Sequence, residues 1–405
     1  MLERAGQLDA ADPLAEFRER FTLPEGVIYL DGNSLGALPK GTPVRLAEAV
    51  LEQWGEGLIR SWNDADWIGL PQKVGAKIAP LIGAAPHEVT AADSTSVNLF
   101  KLIAAALAMR PGRKVILSEP GNFPTDLYMI AGLEQQGLTE RRLTPRDRLV
   151  ERLDSDVALL LLTHVHYKTG ALHDMVALTR AAHDAGALVL WDLSHSVGAL
   201  PVDLNACGAD FAVGCGYKYL NGGPGAPAFA FVAERHHQAL QQPLTGWMGH
   251  AAPFAFSDDY TPGEGMSRLL CGTPPILGLV ALEVGVDLIA EIGVERLYAK
   301  SQQLSEFFRL CLGELGANLE FASPPDPSQR GSQLSFRHPD AYAISQALIA
   351  RGVIGDFRDP DILRLGFAPA YLRFADIAEA ARHLAGVQAS GEWQREEFRQ
   401  RAAIT

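Results

Sequence analysis

An α/β architecture is what the 405-residue sequence predicts: a mostly parallel sheet with helices on both faces, followed by a smaller C-terminal α+β unit. Three observations carry that expectation. Short, near-continuously apolar runs recur at residues 114–117, 157–163, 187–191, 211–213 and 226–232; strands buried on both faces read this way, whereas half-exposed strands alternate. Segments with helical apolar spacing lie between some of them, at 127–132 and 175–185, as the crossovers of a parallel sheet require. After Pro275 the pattern changes to long helices and then strands and helices in turn.

In chain order, residues 13–21 read as an amphipathic helix stopped by Pro24, within an N-terminal arm of residues 1–35. Val27-Ile28-Tyr29-Leu30 is a short strand, and Asp31-Gly32-Asn33-Ser34 after it is rich in turn formers. Helical spacing appears at 46–54, 74–82 and 97–109. With the five apolar strands these make a large unit of residues 36–280. A small unit of residues 281–405 would follow, with helices entering at 277–290 and 294–315, strands at 332–336 and 362–367, and helices at 342–350 and 377–385.

Composition narrows the function classes. Lys and Arg number 35 against 48 Asp and Glu, a balance of −13, so a broad nucleic-acid or anionic-membrane surface is not expected. Cys207, Cys215, Cys271 and Cys311 have no paired spacing, and neither a disulfide framework nor a metal ribbon is expected. The first residues hold early acids and no apolar core of a signal, and the longest purely aliphatic run, 157–162, is far too short for a membrane span. The expected compartment is the cytoplasm.

Ligands of open α/β sheets bind beyond the carboxyl ends of the strands. Those ends carry Asn122-Phe123-Pro124-Thr125-Asp126, Thr163-His164, Asp192-Leu193-Ser194-His195 and Tyr217-Lys218. Asp192 and Lys218, each ending an apolar strand, suit pyridoxal phosphate: the amine can form a Schiff base, and the carboxylate can hold the pyridine nitrogen protonated. A structural ion pair at the sheet rim is the alternative reading of the same two residues. Thr95 and Ser96 open a helix and form an anion site or a plain N-cap. Phe123 can stack on a pyridine face or belong to a satellite core. His195 can touch the cofactor or simply pack at the rim.

These residues resemble a family. Tyr29-Leu30-Asp31-Gly32-Asn33-Ser34-Leu35-Gly36, the Asn122–Asp126 segment, Trp191-Asp192-Leu193-Ser194-His195, Gly216-Tyr217-Lys218-Tyr219-Leu220-Asn221, Gly246-Trp247-Met248-Gly249-His250 and Cys271-Gly272-Thr273-Pro274-Pro275 are similar, in order, to kynureninase. The resemblance spans about residues 27–375. The Asp and Lys alone would indicate only fold-type I pyridoxal-phosphate enzymes; the other segments narrow it. It implies Lys218 as the Schiff-base lysine, Asp192 as the pyridinium partner, and Thr95, Ser96 and Tyr217 on the phosphate. Phe123 would stack on the ring, with Pro124, Thr125, Asp126, Thr163 and His195 around it. Trp247 and Thr273 would reach the phosphate of the neighbouring subunit of a homodimer. Arg364 would bind the substrate carboxylate, with Asn33 and Ser34 nearby.

The implied reaction is hydrolytic Cβ–Cγ cleavage of L-kynurenine to anthranilate and L-alanine, in tryptophan catabolism or NAD biosynthesis, with Tyr217 as an acid/base. The vertebrate-type enzyme carries a His before Arg-Pro-Trp and an Asn before Thr-Pro. Here residues 55–62 hold no His and Thr273 takes the Asn place, so 3-hydroxykynurenine is expected as the lesser substrate.

Rival readings come from shorter signals. Gly32-Asn33-Ser34-Leu35-Gly36 matches the serine-hydrolase elbow, with Ser34 as nucleophile, but helical spacing resumes only near Leu46. A cysteine desulfurase would need a reactive Cys on a mobile loop, and Cys311 sits in an apolar helical stretch. His164 and His166 could share a zinc ion, yet no third ligand is near in sequence, and no metal is expected.

Overall fold

The computed structural model describes residues 1–317 and 319–401. Its centre is a seven-stranded sheet. In chain order it runs β1 (Val89–Ala91), α1 (Thr95–Met109), β2 (Val115–Ser118), α2 (Pro124–Gln135), β3 (Glu140–Leu143), β4 (Val157–Thr163), α3 (Met175–Asp184), β5 (Leu188–Asp192), β6 (Phe211–Gly214) and β7 (Phe229–Val232). The spatial order is β1-β7-β6-β5-β4-β2-β3. Pairings from β6 through β3 are parallel, and β7 runs antiparallel to both its neighbours.

Alternation across the sheet accounts for helices on both faces. Leu160, Leu162, Val189, Trp191 and Ala212 join one apolar cluster with Met175, Leu178 and Ala182 of α3. Leu159, Leu161, Leu188, Leu190, Phe211 and Val213 point the other way, against Leu99, Leu102 and Ile103 of α1 and Ile130 of α2. Each fully buried aliphatic side chain contributes about 1.5–3 kcal/mol of transfer free energy. The register also aligns the strand ends: Thr163 pairs with Asp192, and Asp192 with Val213. Their following residues therefore emerge on one edge.

The second sheet follows two long helices, α4 (Ile276–Ile292) and α5 (Val294–Glu314), which break at Gly293, whose φ is +89°. Strands β8 (Glu320–Phe321) and β9 (Gln333–Arg337), helix α6 (Ala341–Ala350), strands β10 (Asp356–Arg358) and β11 (Ile362–Gly366), and helix α7 (Phe374–Ser390) complete it. The order is β8-β9-β11-β10, antiparallel throughout. The N-terminal strand Ile28–Tyr29 pairs in parallel with Val353–Ile354, and the Gly366 amide donates to the Leu30 carbonyl at 2.7 Å. That pairing carries the turn after Leu30 to the end of β11.

Several elements differ from expectation. The N-terminal helix is Leu2–Ala10, and residues Ala15–Arg20 form only a 3-10 turn. The Asp9 carboxylate, in the last turn of that helix, caps the start of α7 by accepting from the amides of Phe374 and Ala375. The helix expected at 46–54 is α-helical over Gly41–Glu48 and π-helical over Ala49–Gly57. Strands β1, β3, β8 and β10 have no counterpart in the expected set; β3 reads Glu-Arg-Arg-Leu, an edge strand whose polar sequence hides it.

Candidate active site

The aligned strand ends surround a cavity of about 680 Å³. Thr95, Ser96, Phe123, Thr125, Asp126, Thr163, Asp192, His195, Tyr217, Lys218 and Thr273 all lie on its wall. Asp192 and Lys218 thus face a common space, as the two ends of one small ligand need. Pro124 opens α2 behind Phe123 without lining the cavity, and Trp247 stands away from it, 40% exposed and edge-on to Phe254. Thr273, which the resemblance assigns to the neighbouring subunit, sits on this chain's own cavity wall. Its segment is drawn there because the Lys101 ammonium, buried in α1, bonds both Asp93 and the Leu269 carbonyl.

The floor is electrostatically unusual. Lys218 Nζ lies 3.0 Å from His195 Nε2 and 5.7 Å from the Phe123 ring centroid. Burial lowers the Lys218 pKa against the pull of Cys215 and Asp192. Burial likewise pushes Asp192 up, opposed by its bonds from Ser194 and by the Lys218 charge. Asp126 is raised by burial and by Asp192 beside it. His195 is held neutral by burial and then by the Lys218, Arg364 and Arg358 charges. Two carboxyl groups with raised pKa values and an amine with a lowered one are poised for an added cation between them.

Orphaned polar atoms give a test of fit. Both Asp126 carboxylate oxygens, Thr163 Oγ1 and His195 Nδ1 are buried and without a hydrogen-bond partner. Buried polar atoms are nearly always paired, so such a cluster around one cavity marks a place for a polar ligand. At the other end Ser94 caps α1 by accepting from the Val97 amide at 3.3 Å, which leaves the first-turn hydroxyls of Thr95 and Ser96 beside the free helix N–H groups. An anion cup, an apolar ring face and buried carboxyls in one cavity fit pyridoxal phosphate. The Phe123 loop is held rigid: Asn122 Oδ1 accepts from the amides of Phe123 (2.9 Å) and Thr163 (3.1 Å).

Arg364, Asn33 and Ser34 form a second cluster behind this wall. Arg364 is 1% exposed; it donates to Asp356 Oδ1 (2.8 Å), the Tyr167 carbonyl (2.7 Å) and Ser34 Oγ (2.9 Å). With its amide oxygen turned to Arg364, Asn33 accepts from Nε at 3.0 Å. The Tyr167 ring meets Phe123 edge-on at 5.2 Å, which joins the two clusters. Asp356 and Arg358 escaped the sequence reading. Their signal was the strand alternation of β10, which sets both on one face, with Asp356 directly across from Arg364.

The rival sites take other forms. The Ser34 hydroxyl donates to Asp356 Oδ2 and accepts from two arginines, with no histidine base among its partners. Cys311 is buried in α5 and its thiol is pushed up to about 11 by burial. His164 bonds Ser196 at 2.9 Å, and His166 bonds the Thr169 hydroxyl at 3.1 Å.

Comparison with known proteins agrees with this geometry. Residues 297–384 match the family described as the kynureninase C-terminal domain. The chain is 50% identical over 413 residues to a kynureninase of Burkholderia mallei (strain SAVP1), covering 100% of this chain and 99% of the other. It is 47% identical over 407 residues to a kynureninase of Pseudomonas fluorescens, covering 98% of each. Among solved structures, a cysteine desulfurase of Thermococcus onnurineus NA1 superposes with a TM-score of 0.77 over 93% of this chain and 97% of its own, at 22% identity. A C-DES mutant with glycine linked to its PLP cofactor reaches 0.79 over 91% and 98%, at 17%. Those structures share the fold; the full-length identities carry more, and by them the chain belongs to the kynureninase family.

Proposed function

We propose that this chain hydrolyses L-kynurenine at Cβ–Cγ to anthranilate and L-alanine, using pyridoxal phosphate held by Lys218. The observation that carries the reading is the shared cavity of Lys218, Asp192 and the α1 N-terminus in a chain of this family. When bound, pyridoxal phosphate supplies an aldehyde for amines and a protonated ring that accepts electrons from Cα.

The residues divide the remaining work. Thr95, Ser96 and Tyr217 bind the phosphate, Thr273 of the same chain lines that cavity, and Trp247 contributes at the same end across a homodimer. Phe123 stacks on the ring, Thr125, Asp126, Thr163 and His195 enclose it, and Pro124 backs Phe123 at the start of α2. Asp192 keeps the proton on the ring nitrogen. The Lys218 amine, made basic at lower pH by burial, takes the proton from the substrate Cα. Tyr217, whose pKa burial raises, stays protonated and gives its hydrogen to the ketone oxygen as water adds and returns a proton to the phenol. It then relays a hydroxyl proton of the hydrated ketone to Cβ as the Cβ–Cγ bond breaks and the aryl acid leaves. Arg364 holds the substrate carboxylate, with Asn33 and Ser34 beside it. The absence of a His in residues 55–62 favours L-kynurenine over 3-hydroxykynurenine.

A homodimer is supported by exposed apolar side chains: Val44, Leu51, Trp54 and Ile59 on the helical segment, and Phe254 and Phe256 beside Trp247. The cytoplasm is the proposed location; no helix among the described residues is long and apolar enough to cross a membrane. Tryptophan catabolism, or the supply of NAD precursors, is the proposed setting. The test is anthranilate release from L-kynurenine by the pure holoenzyme, with the 3-hydroxylated substrate alongside. No aromatic acid from either would refute the reading.

A further inference from the structure

The substrate-carboxylate cluster contains a second guanidinium whose donors are not spent. Arg358 and Asp356 share a face of β10, and Asp356 lies opposite Arg364 on β11. A guanidinium has five N–H groups. Arg364 commits Nε to Asp356 Oδ1, Nη2 to Ser34 Oγ and Asp356 Oδ2, and Nη1 to the Tyr167 carbonyl. Four of its five are engaged, so one remains on Nη1. A bidentate grip on a carboxylate takes two.

Arg358 is the complement. Its Nη2 donates to Asp356 Oδ2 at 2.6 Å and Ser34 Oγ at 3.1 Å. Its Nε is buried and has no partner, and no acceptor among the described residues meets its Nη1. Its side chain is 35% exposed, against 1% for Arg364. Its charge reaches the cavity: together with Arg364 it disfavours the protonated forms of both His195 and Lys218.

We infer that Arg358 is the second arm of a two-arginine carboxylate clamp, in which Asp356 and Ser34 hold the two guanidinium groups side by side and Arg358 supplies the free N–H donors that Arg364 lacks. Asp356 neutralises one of the two positive charges; the other is left for the ligand. The inference rests on the proposed function for the identity of the ligand, an α-amino acid carboxylate. A lone salt-bridging Arg358 that serves only the stability of β10 is the competing account.

Holoenzyme binding separates the two. The probes are deaminokynurenine, which keeps the carboxylate and lacks the α-amine, and its decarboxylated neutral counterpart, each titrated by calorimetry. Arg358→Gln weakens deaminokynurenine roughly tenfold to a hundredfold and leaves the neutral counterpart within about twofold. Arg358→Lys, which keeps the charge and loses the fork, falls between. A structural role alone would shift both probes equally or neither, and either result overturns the clamp. If Arg358→Gln does not fold, Arg358→Lys decides: binding equal to the parent overturns the inference. Because the readout is binding, failure of the parent to release anthranilate refutes the proposed function without touching this result.

Discussion

The Lys218 ammonium nitrogen stands 3.0 Å from Nε2 of His195, and that imidazole has no partner at Nδ1. Since burial and the neighbouring cations hold His195 neutral, its hydrogen sits on Nδ1 when Nε2 accepts from Lys218. An amine whose pKa is lowered by burial is thus parked on a neutral acceptor, and one N–H beside it is unspent. Both conditions favour a nucleophilic amine at a pH below the ordinary lysine value.

Covalent attachment is therefore expected at Lys218 and nowhere else. Borohydride reduction of the holoprotein adds the cofactor mass to the peptide holding Lys218. In Lys218→Ala that mass is absent and turnover falls roughly a thousandfold or more. In the apo chain, the rate of trappable attachment levels off at a pH below the ordinary lysine value of 10.5, because desolvation favours the free amine. Normal turnover by Lys218→Ala would remove the central assignment.

The phosphate cup makes a separate prediction. Thr95 and Ser96 offer hydroxyls at the start of a 15-residue helix, where first-turn N–H groups are also free. Bonds to a charged acceptor are each worth about 1.5–3 kcal/mol, so the double alanine variant should release cofactor with a Kd roughly a hundredfold higher or more. Equilibrium dialysis of the holoprotein measures it. An unchanged Kd would show that the two hydroxyls take no part in holding the phosphate.

What the sequence disclosed of this site, and what it hid, follows from how each residue is presented. Asp192, Lys218, Thr163 and Phe123 end or follow apolar runs, so strand recognition alone set them on one rim. Of the side chains that Arg364 meets, Asn33 and Ser34 came with the resemblance, whereas Asp356 was not legible. β10 is three residues long, and only its antiparallel register with β11 brings Asp356 across from Arg364. The direction of β7 was hidden in the same way, because an apolar run carries no sign of parallel or antiparallel pairing. The N-terminal helix was placed after Pro13 and lies before it, at Leu2–Ala10, where Asp9 accepts from the start of α7, a contact outside any local window.

Asp356 should be costly to remove. It is 1% exposed and bonds Arg358, Arg364 and Ser34; burial raises its pKa, and the two arginines and the hydroxyl more than reverse that. Breaking a buried pair leaves uncompensated charge, at about 3–5 kcal/mol. Asp356→Ala should lower the denaturation midpoint by that measure as well as weaken substrate binding. A midpoint within error of the parent would show that the arginines find other partners.

Asp31 sets the pH response of the same cluster. Burial and then the Asp356 charge push its carboxyl from 3.8 up to about 7. Because the folded value is raised, the stability it contributes is complete below about pH 4 and is lost as pH climbs through about 7. With Asp31 protonated, Asp356, Arg358 and Arg364 sum to +1; with it ionised, the sum is zero. KM for L-kynurenine should therefore rise several-fold between pH 6.5 and 8.5, and Asp31→Asn should flatten that rise. A KM profile identical in the two proteins would clear Asp31 of the role.

Gly36 links the N-terminal motif to the chemistry. Its amide donates to the Tyr217 carbonyl at 2.8 Å, so the two backbones lie against each other. A Cβ at this position would stand 2.3 Å from the Lys218 carbonyl oxygen and 2.8 Å from Asn221 Cα. Neither is a flexible side-chain end, so the added methyl must displace the backbone that carries Lys218. Shifts of that kind move the amine away from the acceptor atoms it needs while leaving the sheet itself intact, and small misplacements in an active site cost roughly a hundredfold in rate. Gly36→Ala should accordingly fold and keep most of its melting temperature, yet lose kcat far more than KM. Steady-state kinetics beside a thermal melt reads both, and full kcat in the variant would show that the loop yields without moving Lys218.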